Sequence, residues 1–163
     1  MRENVSKALD NVDATYEELI DIANSIVNDV IGDLDSMMAS AYNDVETLTN
    51  DAIRDLILRL SLRSYSFSEI KEKSQFKAVM AETLRKEAYA KNYNSAEGTA
   101  AVRDNLATLN TSDEIVADEI YSLVANIFKQ KLDETHRVVA ALTTVLTTRL
   151  SEAKLTNVGM TNE

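Results

Sequence analysis

The chain has 163 residues, enough for one domain with a sizeable core. It contains no proline, tryptophan or cysteine and only three glycines, so disulfides and thiolate metal sites are excluded and few residues oppose helix formation. The formal net charge is −10, and no window approaches the run of about 18 apolar residues that a membrane span needs. We therefore predict a cytoplasmic protein that makes no contact with a membrane.

The first predicted element is a long amphipathic helix that begins at Ala14, behind a capping Asp13. Apolar or small residues then recur at the period of a straight α-helix. They are Tyr16, Ile20, Ala23, Val27, Val30, Leu34, Met38, Ala41, Val45, Leu48 and Ala52. Gly32 weakens this helix without ending it. We expect an interruption at residues 47–51, although the pattern leaves open whether the segment 14–62 is one continuous helix.

Later helix starts are predicted from two capping boxes, in which a Ser or Thr and a Glu three residues later bond each other's amides. Ser66 with Glu69 predicts a connection at SYSFSEI and a helix from about residue 68 to 92. NYNSAEG then predicts a turn, and TAAVRDNLATL predicts a short helix. Thr111 with Glu114 predicts the start of a long helix that ends near Lys154.

Helices of this length rarely bury their apolar stripes within one small chain, and they usually pair with other helices or other copies. We predict an all-α protein, an elongated bundle or coiled coil of long amphipathic helices, that forms a homo-oligomer. Three regions are predicted: an acidic N-terminal helical arm (1–51), a helical bundle domain (52–155) and a flexible tail (156–163).

Charge is unevenly distributed, with a net of −10 over residues 1–51, +4 over 52–91 and −4 over 92–163. Basic groups near aromatic rings are what a single-stranded nucleic-acid site requires, because cations replace counterions on phosphates and rings stack on bases. The middle region combines both kinds of group. Its basic residues include Lys71, Lys73, Lys77, Arg85, Lys86 and Lys91, and the aromatic residues near them are Tyr65, Phe67, Phe76, Tyr89 and Tyr93.

A second interpretation of the basic window is a solvated helix that pairs its own charges. Glu82 and Lys86 are four residues apart in the favourable order, as are Glu69 with Lys73 and Glu87 with Lys91. Glu82 also lies inside the arc that Lys71, Arg85 and Lys86 share on the helix, where it opposes phosphate binding. Both interpretations stay open.

The acidic arm has its own functional interpretation, in which carboxylates on a rod imitate nucleic-acid phosphates and dock on a basic protein. The candidate partner-binding residues are Asp21, Asp29, Asp33, Asp35, Met37 and Met38. Alternatively, the carboxylates are the polar outer face of an amphipathic helix, and the two methionines belong to its core.

No catalytic motif, metal site or cofactor site is predicted. The sole histidine, His136, lies mid-helix among aliphatic residues, whereas zinc sites and nucleophilic triads need further ligands or partners. Gly-rich phosphate loops and Gly-x-Ser-x-Gly elbows are absent from the sequence. We predict that the protein is not an enzyme.

Residues 60–155 carry a charged helix ending LRKEAYAKNY, an NSAEG turn, AAVRDNLA and the long terminal helix IFKQKLDETHRVVAALTTVLTTRLSEAK. This order of features resembles small helical accessory proteins of tailed bacteriophages, especially the recombination mediator family. The resemblance implies an oligomer in the host cytoplasm that binds single-stranded DNA and loads a recombinase. It also implies the candidate nucleic-acid-binding residues, which are Lys71, Lys73, Lys77, Arg85, Lys86 and Lys91, with Tyr89 and Tyr93 stacking on bases. The acidic arm before residue 52 departs from that pattern.

The leading hypothesis is thus a non-enzymatic, oligomeric, phage-type accessory protein that handles single-stranded nucleic acid or its binding proteins. One alternative is an acidic adaptor or anti-defence inhibitor that docks on a basic host protein. Another is a structural assembly protein that works through coiled-coil contacts.

Overall fold

The computed structural model describes the backbone of residues 2–159 and the side chains of residues 15–155. This part of the chain contains no strand and consists of α1 (Arg2–Asp44), α2 (Asn50–Ser95), α3 (Ala100–Leu109) and α4 (Ser112–Gly159). The prediction of an all-α protein is confirmed. The lack of proline and the scarcity of glycine allow helices of 43, 46 and 48 residues to form.

The predicted interruption near residues 47–51 and the predicted start of the short helix are confirmed, and the structure shows a threonine capping the helix that begins at each place. The chain leaves α1 after Asp44, and the Thr49 hydroxyl accepts a hydrogen bond from the Ala52 amide at 3.2 Å at the start of α2. The short helix α3 begins where TAAVRDNLATL predicted it, with the Thr99 hydroxyl accepting from the Val102 amide at 3.4 Å. Each threonine thereby satisfies an amide that has no partner within its helix.

The connection predicted at SYSFSEI is wrong, because α2 continues through it without a break. The hydroxyls of Ser64, Ser66 and Ser68 each donate to the carbonyl oxygen four residues earlier, at 2.8, 3.3 and 3.1 Å. Serines bonded in this way remain within a helix instead of capping a new one. Phe67 is also only 1% exposed, so packing stabilises the helix at this point.

The outer ends of the first and last helices also differ from the prediction. Helix α1 begins at Arg2 rather than Ala14, because no proline or glycine interrupts the residues before Asp13. Helix α4 continues past Lys154 to Gly159. Residues 160–163 of the predicted tail lie outside the described residues.

The chain divides into two compact units, and each of the three long helices contributes a segment to both. The first unit comprises residues up to Asp29 together with Ile70–Phe128, and the second comprises Val30–Glu69 together with residues from Lys129 onward. Both units draw on residues before and after position 51, the predicted boundary between an acidic arm and a bundle domain.

The core of the first unit consists mainly of small side chains. Its buried apolar residues are Ala23, Val27, Ala81, Ala107, Val124, Ala125 and Phe128. Thr111 is fully buried, and its hydroxyl donates to the Ala107 carbonyl at 2.6 Å and accepts from the Asn92 side-chain amide at 3.1 Å. Thr111 thus joins the ends of α2, α3 and α4 where a capping box was predicted.

The core of the second unit consists mainly of large side chains. Its buried apolar residues are Ile31, Leu34, Met38, Ala41, Ile53, Leu56, Leu60, Phe67, Leu132, Val138 and Leu142. The stripe predicted on α1 is confirmed in part, since Leu34, Met38 and Ala41 lie in this core and Ala23 and Val27 in that of the first unit. Ile31 is buried in place of Val30.

A single arginine closes the end of α1 in the second unit. The Arg149 guanidinium donates to the carbonyls of Leu48, Val45 and Glu46 at 2.6, 2.8 and 3.2 Å. These three residues follow Asp44, the last residue of α1, so their carbonyls lie in the turn outside the helix and need another donor. Arg149 on α4 therefore fixes the connection between α1 and α2.

Candidate functional site

The six basic residues of the predicted nucleic-acid site all lie on the part of α2 within the first unit. Several of them contact acidic or aromatic side chains of the same chain. Arg85 Nε donates to an Asp118 carboxylate oxygen at 2.7 Å, and Lys86 Nζ contacts Glu82 at 2.5 Å. The hydrogen bond from Lys86 lowers the pKa of the Glu82 carboxyl. These acidic partners reduce the positive potential that a phosphate backbone would meet.

The other four predicted basic residues lie on the same part of α2. The Lys77 ammonium lies 6.0 Å from the centroid of the Tyr121 ring, a distance at which cation and ring attract each other weakly. Lys73 and Lys91 are exposed, and Lys71 is half-buried. The predicted basic window is thus confirmed as one region of one helix, while its role in binding nucleic acid stays a prediction.

The two tyrosines predicted to stack on bases lie against each other. The rings of Tyr89 and Tyr93 have centroids 6.1 Å apart and planes inclined by 23°. The Arg103 guanidinium of α3 lies 4.7 Å from the Tyr93 centroid, and the Tyr89 hydroxyl donates to the Asp104 carboxylate. These four residues are named the tyrosine cluster.

A hydrogen bond and a neighbouring charge act on the Tyr89 hydroxyl within the tyrosine cluster. The bond to Asp104 raises the pKa of the Tyr89 hydroxyl, because ionisation would remove the donated proton and place two anions together. Arg103 supplies one positive charge and Asp104 one negative charge. The cluster is therefore a locally neutral aromatic surface at the contact between α2 and α3.

An exposed apolar surface on α2 was not predicted. Phe76, Met80 and Leu84 follow one side of the helix with 66%, 43% and 54% of their surface exposed, and they are named the α2 apolar face. All three also line a mainly apolar cleft of about 280 Å³ against α4, together with Tyr121, Lys77 and Glu114. Large apolar side chains grouped in this way on a surface mark sites of contact with other molecules.

The spacing of these residues in the sequence indicates this surface, but apolar periodicity alone does not tell which side of α2 is exposed. Phe76, Met80 and Leu84 recur every four residues, which places them along one side of a helix. The side that α2 buries in the first unit carries only Ser74 and Ala81 among its most buried residues. A helix that buries small residues and exposes large ones reverses the usual expectation for an amphipathic helix.

The candidate partner-binding residues are divided between the two units. Asp21 and Asp29 are exposed on the α1 segment of the first unit. In the second unit, Asp33 accepts a hydrogen bond from Arg63 at 2.8 Å, and Asp35 forms an ion pair with Lys131 at 2.8 Å. The latter two carboxylates are thus engaged within the protein.

The two methionines of this candidate site differ in their surroundings. Met37 is half-buried, whereas Met38 is 3% exposed and its sulfur lies 3.5 Å from the donating Thr135 hydroxyl. Met38 is therefore a core residue, which is the alternative that the sequence left open for this pair.

Burial lowers the pKa of Lys131, the ion-pair partner of Asp35, but hydrogen bonds to Asp35 and Glu134 outweigh this effect and raise the pKa overall.

Between residues 15 and 155, no group of three His, Cys, Asp or Glu side chains is placed to hold a metal ion. None of the helices described has an apolar stretch long enough to cross a membrane. His136 is exposed on α4.

Comparisons with known proteins supplied no relative for this chain. It matches no protein-family model, and it has no significant similarity to a curated protein or to a solved structure.

Proposed function

We propose that this protein is a non-enzymatic helical assembly protein whose activity is contact between polypeptide chains, beginning with self-association of its own copies. The observation that carries this proposal is the α2 apolar face. A phenylalanine, a methionine and a leucine follow one side of α2 with between 43% and 66% of their surface exposed.

The energetics of apolar surface support a role in association. Removing one such side chain from water contributes about 1.5–3 kcal/mol when the burial is complete, so several together favour a stable complex. Among the described residues, the buried apolar side chains of the first unit are alanine, valine and one phenylalanine, and none of them belongs to the α2 apolar face. The exposure of that face therefore serves contact with another chain better than it serves folding.

A mass measurement tests this proposal. Sedimentation equilibrium over a wide range of concentrations should give a mass above the 18.1 kDa of one chain. Phe76→Ser combined with Leu84→Ser should shift the population towards the single chain, while circular dichroism remains unchanged because both side chains are exposed.

A matched control is available on α3 of the same unit. Val102→Ser combined with Leu106→Ser removes two apolar side chains that are 46% and 40% exposed but lie outside the α2 apolar face. This variant should associate like the unaltered protein. A wild-type mass of 18.1 kDa at every concentration would overturn the proposed function.

Single-stranded nucleic acid is a second candidate ligand, and the tyrosine cluster favours it. Tyr89 and Tyr93 lie together on the same helix as Lys71, Lys73 and Lys91, as a mediator-like protein would require. Stacking of a base on an exposed ring and contact of lysines with phosphates are the two elements of sequence-tolerant binding to single strands.

Fluorescence anisotropy with a labelled single-stranded oligonucleotide at two salt concentrations tests this second candidate. Changing Lys71, Lys73 and Lys91 together to Gln should weaken binding and flatten its salt dependence, by about 0.7 in logarithmic slope for each lost phosphate contact. Replacement of Lys129 and Lys154 by Gln is the control on α4. Binding that is undetectable at low salt would remove nucleic acid from consideration.

A further inference from the structure

The exposed side of α2 continues beyond its apolar centre to one charged residue at each end. Lys73, Phe76, Met80, Leu84 and Glu87 recur at intervals of three or four residues, and they are named the α2 seam. At 100° per residue, Phe76 and Leu84 lie about 40° on either side of Met80, and Lys73 and Glu87 lie about 20° on either side. All five residues belong to the first unit.

The seam has an internal symmetry in its sequence. Lys73 precedes Met80 by seven residues and Glu87 follows it by seven, while Phe76 and Leu84 are each four residues from Met80. A rotation by 180° about an axis through Met80 therefore exchanges lysine with glutamate and phenylalanine with leucine. A surface with this property is complementary to itself, as an interface between two identical chains must be.

We propose that a second copy of this chain binds the α2 seam in antiparallel orientation, about a two-fold axis at Met80. Lys73 then lies opposite Glu87 of the partner subunit, and Glu87 opposite the partner's Lys73, so two ion pairs flank an apolar centre. In a parallel pair, each lysine would face a lysine and each glutamate a glutamate, and like charges opposed in this way are unfavourable. The inference deepens the proposed function and rests on it.

The cleft beside the seam gives the second copy an apolar surface on which to pack. Ala117 and Tyr121 of α4 line it together with Phe76, Met80, Ala81 and Leu84 of α2, and the charged Lys77 and Glu114 also line it. In the antiparallel arrangement, Leu84 of the partner subunit lies opposite Phe76. The contact then buries the side chains that one chain leaves in water.

Cysteine cross-linking tests the register, since the natural chain contains no cysteine. Phe76→Cys and Leu84→Cys are prepared as single variants, one of them isotopically labelled, then mixed and oxidised in a redox buffer. The antiparallel seam predicts that mass spectrometry finds mainly the mixed disulfide between the two variants. A parallel pair predicts two homodimeric disulfides instead and would overturn the proposal.

Val79→Cys is the matched control for this experiment. Val79 is 58% exposed and adjacent to Met80 in sequence, but it lies about 100° around the helix from it. Met80→Cys should form a disulfide with its own symmetry mate much faster than Val79→Cys does. Equal rates of disulfide formation for the two variants would show that the α2 helices of two copies meet in no preferred orientation.

Charge reversal tests the ion pairs independently of cysteine chemistry. Lys73→Glu places glutamate opposite the partner's Glu87, and Glu87→Lys places lysine opposite the partner's Lys73. Each single variant should have a dissociation constant raised roughly tenfold, and a mixture of the two variants should return to within about threefold of the unaltered protein. Single variants that associate as tightly as the natural chain would contradict the antiparallel register.

Failure of the register is distinguishable from failure of the proposed function. An oligomer that gives no mixed disulfide and no response to charge reversal refutes the antiparallel seam but leaves self-association intact. A chain that sediments as a monomer refutes both. If another protein binds the seam and dissociates the oligomer, that protein is the natural ligand of the seam. This result would overturn the proposal that a second copy of the chain binds there.

Discussion

Among the described residues, the first unit buries mostly alanine and valine and exposes Phe76, Met80 and Leu84. The second unit buries mostly leucine and isoleucine together with Phe67, and it exposes fewer large apolar side chains, Leu58 and Leu62 among them. The apolar residues of the first unit are no fewer, but more of the large ones face solvent. We conclude that the second unit buries more of its large apolar side chains than the first, and that the first unit exposes the α2 apolar face on which the proposed self-association rests.

The sharpest test of this comparison uses two phenylalanines on the same helix. Phe67 in the second unit is 1% exposed, and Phe76 in the first is 66% exposed. Phe67→Ala should lower the free energy of unfolding by about 3–5 kcal/mol, because it leaves a cavity in a packed core. Phe76→Ala should change it by less than about 0.5 kcal/mol in the single chain.

Urea denaturation at a protein concentration low enough to dissociate any oligomer measures both values. The two variants have the same chemical change, so the difference between them reports burial alone. Similar losses for Phe67→Ala and Phe76→Ala would show that the two units do not differ in the way described.

Arg149 should have the next largest effect, within the second unit. Arg149→Met removes three hydrogen bonds from a charged donor to carbonyls that follow α1, and we expect a loss of about 1.5–3 kcal/mol in unfolding free energy. Arg137→Met, an exposed change on the same helix, is the control and should be nearly neutral. If both variants lose the same stability, the cap has no special role.

Replacing the two glycines between residues 15 and 155 by alanine should change the free energy of unfolding in opposite directions. Gly98 in the first unit has φ of +114°, and a β-carbon there would lie 3.1 Å from Val102, so Gly98→Ala should cost about 1–3 kcal/mol. Gly32 lies within α1 in the second unit with open space around it, so Gly32→Ala should stabilise by about 0.5–1 kcal/mol. Thermal denaturation of both variants checks the two signs, and a stabilising Gly98→Ala would contradict the turn geometry.

Lys131 in the second unit should make the smallest and most pH-dependent contribution. Its pKa in the folded protein is above the ordinary value of 10.5, so its stabilising effect is complete below pH 10.5 and is lost as the pH rises through the folded value. At neutral pH, Lys131→Gln should therefore cost about 0.5–1 kcal/mol, and this difference should shrink in alkaline solution. Lys129→Gln is the exposed control, and a difference that stays constant with pH would contradict the role of the ammonium group.

Much of the fold could be predicted from the sequence because local signals decide it. The absence of proline predicted helices, and the polar residues at 47–51 and in NYNSAEG predicted two of the breaks between them. The serines near Phe67 misled the prediction, because a hydroxyl that can cap a helix start can equally bond back within a helix. Only the neighbouring packing, which buries Phe67, distinguishes the two.

The candidate site was less accessible to sequence reasoning. The proximity of Tyr89 and Tyr93 follows from their spacing of four residues on a helix, but the contacts with Arg103 and Asp104 depend on how α3 folds back. The pairing of Arg85 with Asp118 likewise joins residues far apart in the chain. The α2 apolar face escaped prediction because α2 carries apolar residues on several sides, and tertiary packing decides which of them face solvent.

Methyl NMR of the methionines tests most directly whether the α2 apolar face is a surface of contact between chains. Met38 of the second unit is 3% exposed and Met80 of the first is 43% exposed in the single chain, so a soluble relaxation agent should reach only the latter. At submillimolar protein concentration, we predict that the Met80 methyl is as well protected as that of Met38. A Met80 methyl that relaxes several-fold faster than Met38 at that concentration would show the face open to water and would contradict self-association through it.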